Sequence, residues 1–150
     1  MKYFIISLLL ICPVLLHAQI NNPVKWTFSS KKVSSNVYEL QMKAGIDQGW
    51  HIYAQQVPEN TVEPTVITIS KNPLLKVEGK VKENGRLKKL FEKDYNATLP
   101  CYENEVSFVQ RVEVKGAAKT KIKGTVRFMV CDDHQCLPPK EIEFNLPIGG

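Results

Sequence analysis

Residues 121–146 read Lys-Ile-Lys-Gly-Thr-Val-Arg-Phe-Met-Val-Cys-Asp-Asp-His-Gln-Cys-Leu-Pro-Pro-Lys-Glu-Ile-Glu-Phe-Asn-Leu. On the near side of the cysteines, Ile122, Val126, Phe128 and Val130 alternate with Lys121, Lys123, Thr125 and Arg127. On the far side, Ile142, Phe144 and Leu146 repeat the pattern. A period of two is the signature of a half-buried strand. Lys121 to Val130 and Lys140 to Leu146 therefore read as antiparallel partners, with Cys131 to Pro139 at the end of their hairpin. Cys131 and Cys136 lie four residues apart where the chain ends already meet, so a disulfide ring closes cheaply. A loop this small removes little unfolded-state entropy, and the bridge adds only about 2 kcal/mol. Stability is a weak reason to have it.

The same alternation recurs along the chain. Tyr38, Leu40, Met42, Ala44 and Ile46 alternate with Glu39, Gln41 and Lys43, and Val106, Phe108, Val112 and Val114 share a face from Glu105 to Val114. Short runs at Val24 to Phe28, Trp50 to Ala54, Thr65 to Ser70, Leu75 to Val81 and Arg86 to Phe91 add further strands. The last two flank Glu83-Asn84-Gly85, where Asn-Gly predicts a hairpin turn. From Glu92 to Cys101 the alternation fails, which predicts an irregular loop carrying Tyr95. Roughly eight short strands spaced by turns, with no helical periodicity, give an all-β domain: an antiparallel β-sandwich of immunoglobulin-like type.

At the N-terminus, Lys2, the apolar run Tyr3 to Leu16 and the small Ala18 form the pattern of a cleaved secretory signal over residues 1–18. The apolar run is too short, and too soon followed by Gln19, Asn21 and Asn22, for a permanent membrane span. Cys12 follows Ile11, where lipid attachment wants a small residue, so it leaves with the signal. Residues 19–150 remain as one exported domain of about 130 residues, with no stable membrane insertion. Its expected compartment, the periplasm, allows disulfides to persist. Cys101, Cys131 and Cys136 survive cleavage, an odd number that leaves one cysteine over.

The net charge of +5 is concentrated between Lys76 and Lys93. Glu78, Glu83, Glu92 and Asp94 interleave with those cations, and no aromatic platform accompanies them. This excludes the pattern of a single-stranded nucleic-acid binder and reads as a solvated face.

The cysteine pair admits three readings. Thiol–disulfide exchange needs an accessible sulfur, a resolving sulfur and a docking surface, and Cys131, Cys136 and the apolar rim Leu137-Pro138-Pro139 can supply them. Asp132 and Asp133 disfavour a nearby thiolate while a charged His134 favours one, so the thiols are not strongly activated in isolation. The second reading is a static hairpin staple in a non-catalytic binding or assembly domain. The third is a metal site of Cys131, His134 and Cys136, which lacks the second ligand pair usual for structural zinc. The exchange reading takes no cofactor and no metal.

Gly49-Trp50-His51-Ile52-Tyr53, the Glu63-Pro64-Thr65 step into a strand, the Tyr102 to Val114 strand and Cys131 to Pro139 followed by Phe144 together resemble one family. The chain is similar, over nearly all of its mature length, to the N-terminal periplasmic domain of the thiol:disulfide interchange protein DsbD, in a free-standing version. The resemblance implies an immunoglobulin-like sandwich that passes reducing equivalents from a thioredoxin-like donor to thioredoxin-like acceptors, a protein-disulfide reductase type of activity. It implies that Cys136 forms the mixed disulfide and Cys131 resolves it, with His51 and Tyr53 lining the pair. It also implies a cap loop over Phe91 to Asn96, including Asp94, with Tyr95 as the covering aromatic and Phe91 as second choice. Taken without the resemblance, Tyr53 is equally a core aromatic, His51 a surface residue, Tyr95 a packing residue and Asp94 a solvated charge. The family's best-known members have one more residue between the cysteines and carry Phe and Gly where this chain has Tyr95-Asn96. With the membrane and C-terminal thioredoxin-like domains missing from this sequence, the implied reductant is another polypeptide. Cys101 has no counterpart role, and its expected place is buried in a strand lead-in.

Overall fold

The computed structural model describes residues 22–150, so the signal-peptide reading lies outside the described residues. Eleven strands follow in order: β1 (Val24–Lys32), β2 (Val37–Ile46), β3 (His51–Tyr53), β4 (Val66–Ile69), β5 (Leu75–Gly85), β6 (Lys88–Glu92), β7 (Ala97–Glu103), β8 (Glu105–Val114), β9 (Thr120–Phe128), β10 (Val130–Cys131) and β11 (Lys140–Ile148). One four-stranded sheet has the order β1-β2-β8-β5, and facing it are a three-stranded sheet, β11-β9-β4, and a second four-stranded sheet of shorter strands, β10-β3-β7-β6. The pairings are antiparallel, as short connections between sequential strands allow. This is the expected all-β sandwich of immunoglobulin-like type. Among the described residues no helix is long and apolar enough to cross a membrane.

The period-two pattern sets the core. Leu40, Met42 and Ala44 of β2 and Val106, Phe108, Val112 and Val114 of β8 turn inward against Ile122, Val126 and Phe128 of β9 and Ile52 of β3. Trp26 joins them from β1, its ring centroid 5.8 Å from Phe108 and 5.3 Å from Phe128. Such aromatic pairs contribute roughly 0.5–1.5 kcal/mol each beyond their buried area. Gln110 occupies an inward position of β8 that alternation would give to an apolar residue. Its Nε2 donates to the carbonyls of Glu78, at 2.7 Å, and Arg111, at 3.0 Å. The Glu78 carbonyl is freed there because the β5–β8 register shifts between Glu78 and Lys82, so Gln110 satisfies an acceptor that the bulge leaves without a ladder partner.

Three expectations are corrected. First, the β9–β11 hairpin forms as read, from Lys140 opposite Phe128 to Ile148 opposite Thr120, but the strand from Lys121 does not run unbroken to Val130. It ends at Phe128; past Met129 the chain changes sheet, and β10 pairs with β3, Val130 opposite Ile52 and Cys131 opposite His51. Second, Asn84-Gly85 is no hairpin turn. β5 pairs with β8 through Gly85, opposite Val106, whereas β6 pairs with β7. Gly85 is needed for close approach instead, since a Cβ there would lie 3.1 Å from both the Tyr102 ring and Val106. Third, residues 92–101 are not an irregular loop. β6 and β7 form a hairpin around Lys93-Asp94-Tyr95-Asn96, closed by the Asn96 N–H donating to the Lys93 carbonyl at 3.2 Å, with Asn96 at φ 47°. Asn tolerates the left-handed conformation that such a turn demands.

Gly124 lies on β9 between β4 and β11. A Cβ there would lie 2.2 Å from the Thr68 carbonyl oxygen and 2.5 Å from the Phe144 ring. Gly124→Ala is expected to destabilise the domain by about 2 kcal/mol through overpacking, read as a lowered urea midpoint at unchanged slope. An unchanged midpoint would mean that β4 or Phe144 moves aside freely.

Candidate functional site

The ring is built on a turn that its own sequence encodes. The Asp132 carboxylate oxygen Oδ1 accepts the backbone N–H groups of His134 and Gln135, both at 2.8 Å. These two bonds hold its carboxyl below the usual carboxylate range, the bond from His134 first. Asp132 N–H donates to the Gln135 carbonyl at 2.9 Å, and Leu137 N–H to Val130 at 2.9 Å. The turn brings the Cα atoms of Cys131 and Cys136 to 4.0 Å, and the two sulfurs are bonded. Burial separates them: Cys131 is 1% exposed, and Cys136 lies exposed on the rim with Pro138 and Pro139. Both thiols are taken up in the bridge, and among the described residues no group of three or more His, Cys, Asp and Glu converges as a metal site.

Strand pairing collects the rest of the site on one face of the β10-β3-β7-β6 sheet. Residues directly opposite each other across an antiparallel ladder share a face. Cys131 is opposite His51, which is opposite Glu103, while Tyr53 is opposite Cys101, which is opposite Lys88. Glu92, four residues further along β6, points the same way. The other face of β3 and β10 sends Ile52 and Val130 into the main core, and Tyr53, Cys101 and Cys131 join a second apolar cluster with Val62 and Leu99.

A polar chain crosses this second cluster. Tyr53 Oη donates to Glu92 Oε1 at 3.2 Å, and His51 Nε2 lies 3.4 Å from Tyr53 Oη and 3.7 Å from the same carboxylate oxygen. The two rings meet edge to face at 5.2 Å. His51 is 4% exposed and so is no surface residue. Burial lowers its pKa below the ordinary 6.5, outweighing the carboxylates of Glu92, Glu103, Asp133 and Asp132, which act in the opposite direction. Burial and Glu92 together drive the Tyr53 phenol well above its usual value, so it stays protonated as a donor.

The remaining expected residues fall around this centre. Tyr95, 43% exposed in the β6–β7 turn, is close enough to Tyr53 to add to that upward shift. Asp94 is exposed in the same turn. Phe91 is 60% exposed and alternates with Leu90 and Glu92, which puts it on the opposite face of β6 from the polar chain. Cys101 is fully buried mid-strand in β7, a free thiol pushed up to about 11 chiefly by burial. Its burial leaves it no route to another molecule. Glu92 was not singled out by the sequence; its signal was the alternation Lys88, Leu90, Glu92, hidden by ending the strand at Phe91.

The fold and this arrangement define an immunoglobulin-like domain with a half-exposed disulfide ring at one end of its sandwich. The family model for the N-terminal domain of the thiol:disulfide interchange protein DsbD matches residues 19–147, and the chain belongs to that family. No curated protein sequence matches it. Among solved structures it is similar to the reduced DsbD N-terminal domain of Neisseria meningitidis, at 15% identity and TM-score 0.56, covering 82% of this chain and 86% of that one. The N-terminal periplasmic domain of ScsB from Proteus mirabilis gives 14% identity and TM-score 0.59 over 86% of this chain, which spans 47% of that one. A third, the complex between the DsbD and PilB N-terminal domains of Neisseria meningitidis, gives 17% identity and TM-score 0.54, covering 85% and 87%. At these identities the likeness is one of fold.

Burying His51 as a neutral ring has a consequence for pH. The unfolded chain takes up the proton near pH 6.5, and the folded chain only below it, so stability is lost as pH falls through about 6.5. Glu92→Gln removes a carboxylate that favours the charged ring and is expected to lower the His51 pKa further, as followed by NMR titration of its ring protons. A rise would contradict the assigned balance of burial and charge.

Proposed function

We propose that this domain is an exported, periplasmic thiol–disulfide exchange module that relays reducing equivalents between thioredoxin-like donor and acceptor proteins through Cys131 and Cys136. The observation that carries this reading is the unequal exposure of the two sulfurs in a ring mounted at the end of the sandwich. An incoming thiolate reaches only Cys136 Sγ. Its attack breaks the bridge, Cys131 leaves as a thiolate and takes a proton, and a mixed disulfide forms on Cys136. The donor's second thiol then resolves it, so the domain gains two electrons and two protons. In the second half, the Cys136 thiolate attacks an acceptor disulfide, Cys131 attacks Cys136, and the acceptor leaves reduced.

Family membership supports this direction of use, and a solved complex of a DsbD N-terminal domain with a PilB N-terminal domain supports a protein partner. The exposed prolines beside Cys136 offer such a partner an apolar rim without N–H donors at either position. In this reading the β6–β7 turn is the cap, with Tyr95 beside the polar chain as its covering aromatic. Phe91 faces away and contributes apolar surface for docking.

The test is disulfide trapping with a thioredoxin-like protein whose own resolving cysteine is removed. Cys131→Ala is expected to accumulate the mixed disulfide through Cys136, and Cys136→Ala to accumulate none. Adding Tyr95→Ala to the Cys131→Ala protein should speed trapping by uncovering the sulfur. Equal trapping by both cysteine variants would overturn the assignment of roles.

A further inference from the structure

The relay leaves one buried titratable group unexplained. His51 stands directly opposite Cys131 across the β10–β3 ladder, within the short Cβ separation of about 5 Å that such pairs have. Tyr53 has a single hydroxyl proton, and it goes to Glu92. Its oxygen can therefore only accept from His51, which fixes the imidazole proton on Nε2. Nδ1 is left with a free lone pair on a ring shielded from water. A neutral, tautomer-fixed imidazole beside a sulfur that must lose a proton is the arrangement of a general base.

Resting on the exchange reading above, we propose that His51 is the proton acceptor for Cys131, with Tyr53 and Glu92 as the positioning residues that orient its ring. When an acceptor is held on Cys136, the Cys131 S–H bond breaks and its proton passes to His51 Nδ1. The sulfur's electron pair forms the bond to Cys136 Sγ, and the bond from Cys136 to the acceptor breaks with its pair leaving on the acceptor sulfur. That sulfur takes a proton from solvent, and His51 returns its own. In the reverse direction the imidazolium protonates the departing Cys131 thiolate.

The charges around the ring fit this task. From β6 and β7 it meets Glu92 and Glu103, the latter ion-paired with Lys88, and from the ring turn Asp132 and Asp133; Tyr53 and Cys101 beside it are neutral. The carboxylates stabilise the imidazolium that forms during the step, while burial keeps the resting ring unprotonated. The same carboxylates oppose a free Cys131 thiolate, so an unassisted loss of its proton is costly.

The experiment follows nitrothiobenzoate release when the reduced domain, with Cys101→Ala throughout, meets one equivalent of Ellman's disulfide. The first release reports attack by Cys136, and the second reports resolution by Cys131. His51→Gln is expected to leave the first phase unchanged and slow the second about 100-fold near pH 7, with the deficit shrinking above pH 9 as solvent removes the proton. Tyr53→Phe keeps the ring but frees its tautomer, so a smaller slowing of the second phase with the same recovery at high pH is expected; should His51→Gln not fold, that variant decides. A second phase unchanged near pH 7, or slowed equally at every pH, overturns the role of His51. A parent protein with no second release at all overturns the exchange reading itself.

Discussion

The site hangs on a two-residue ladder. Val130 opposite Ile52 and Cys131 opposite His51 are all that ties β10 to its sheet. The first pair faces the main core and the second faces the smaller cluster under the β6–β7 hairpin. Because side chains alternate across a strand, anchoring Val130 in the core fixes which way Cys131 points. A slip of one residue would put Cys131 into the main core and Val130 against His51. The register of this short ladder therefore determines which sulfur is buried and which is presented.

Electrostatics and burial then work against each other in a small volume. Glu92, Glu103, Asp132 and Asp133 make the surroundings of the bridge negative, while His51 is kept neutral by burial. Such surroundings disfavour a free thiolate and leave the pair without strong intrinsic activation. The proposed carrier role needs this restraint, since a reduced sulfur that reacts with any small disulfide loses its electrons before meeting a partner. In the proposed relay, selectivity comes from docking, which brings the partner's thiolate to Cys136 and excludes water from the neighbouring charges.

Much of the fold was legible because β2, β8, β9 and β11 each bury one face, and a half-buried strand prints its period on the sequence. β7 was not legible: Pro100 and Asn96 carry turn chemistry, yet Pro100 needs only its carbonyl, which accepts the Ala54 N–H at 3.0 Å. Asn84-Gly85 misled for the complementary reason, since glycine can serve close packing as well as a turn. At the site, Cys131 and Cys136 were visible from spacing alone, and His51 and Tyr53 only through the family resemblance. Glu92 was missed, because its partners come from a strand some forty residues away and the alternation that carries it was cut short at Phe91. The switch of sheet at Met129 was equally hidden, being a choice between two apolar surfaces that the local pattern does not distinguish.

The reduction potential of the Cys131–Cys136 bridge tests the central claim most directly, measured by equilibrating the mature domain with glutathione or dithiothreitol mixtures and counting free thiols. An exchangeable relay requires a value in the range of thioredoxin and protein disulfide isomerase, roughly −270 to −180 mV. A value well below about −300 mV would contradict the relay and make the ring a static staple of a binding domain.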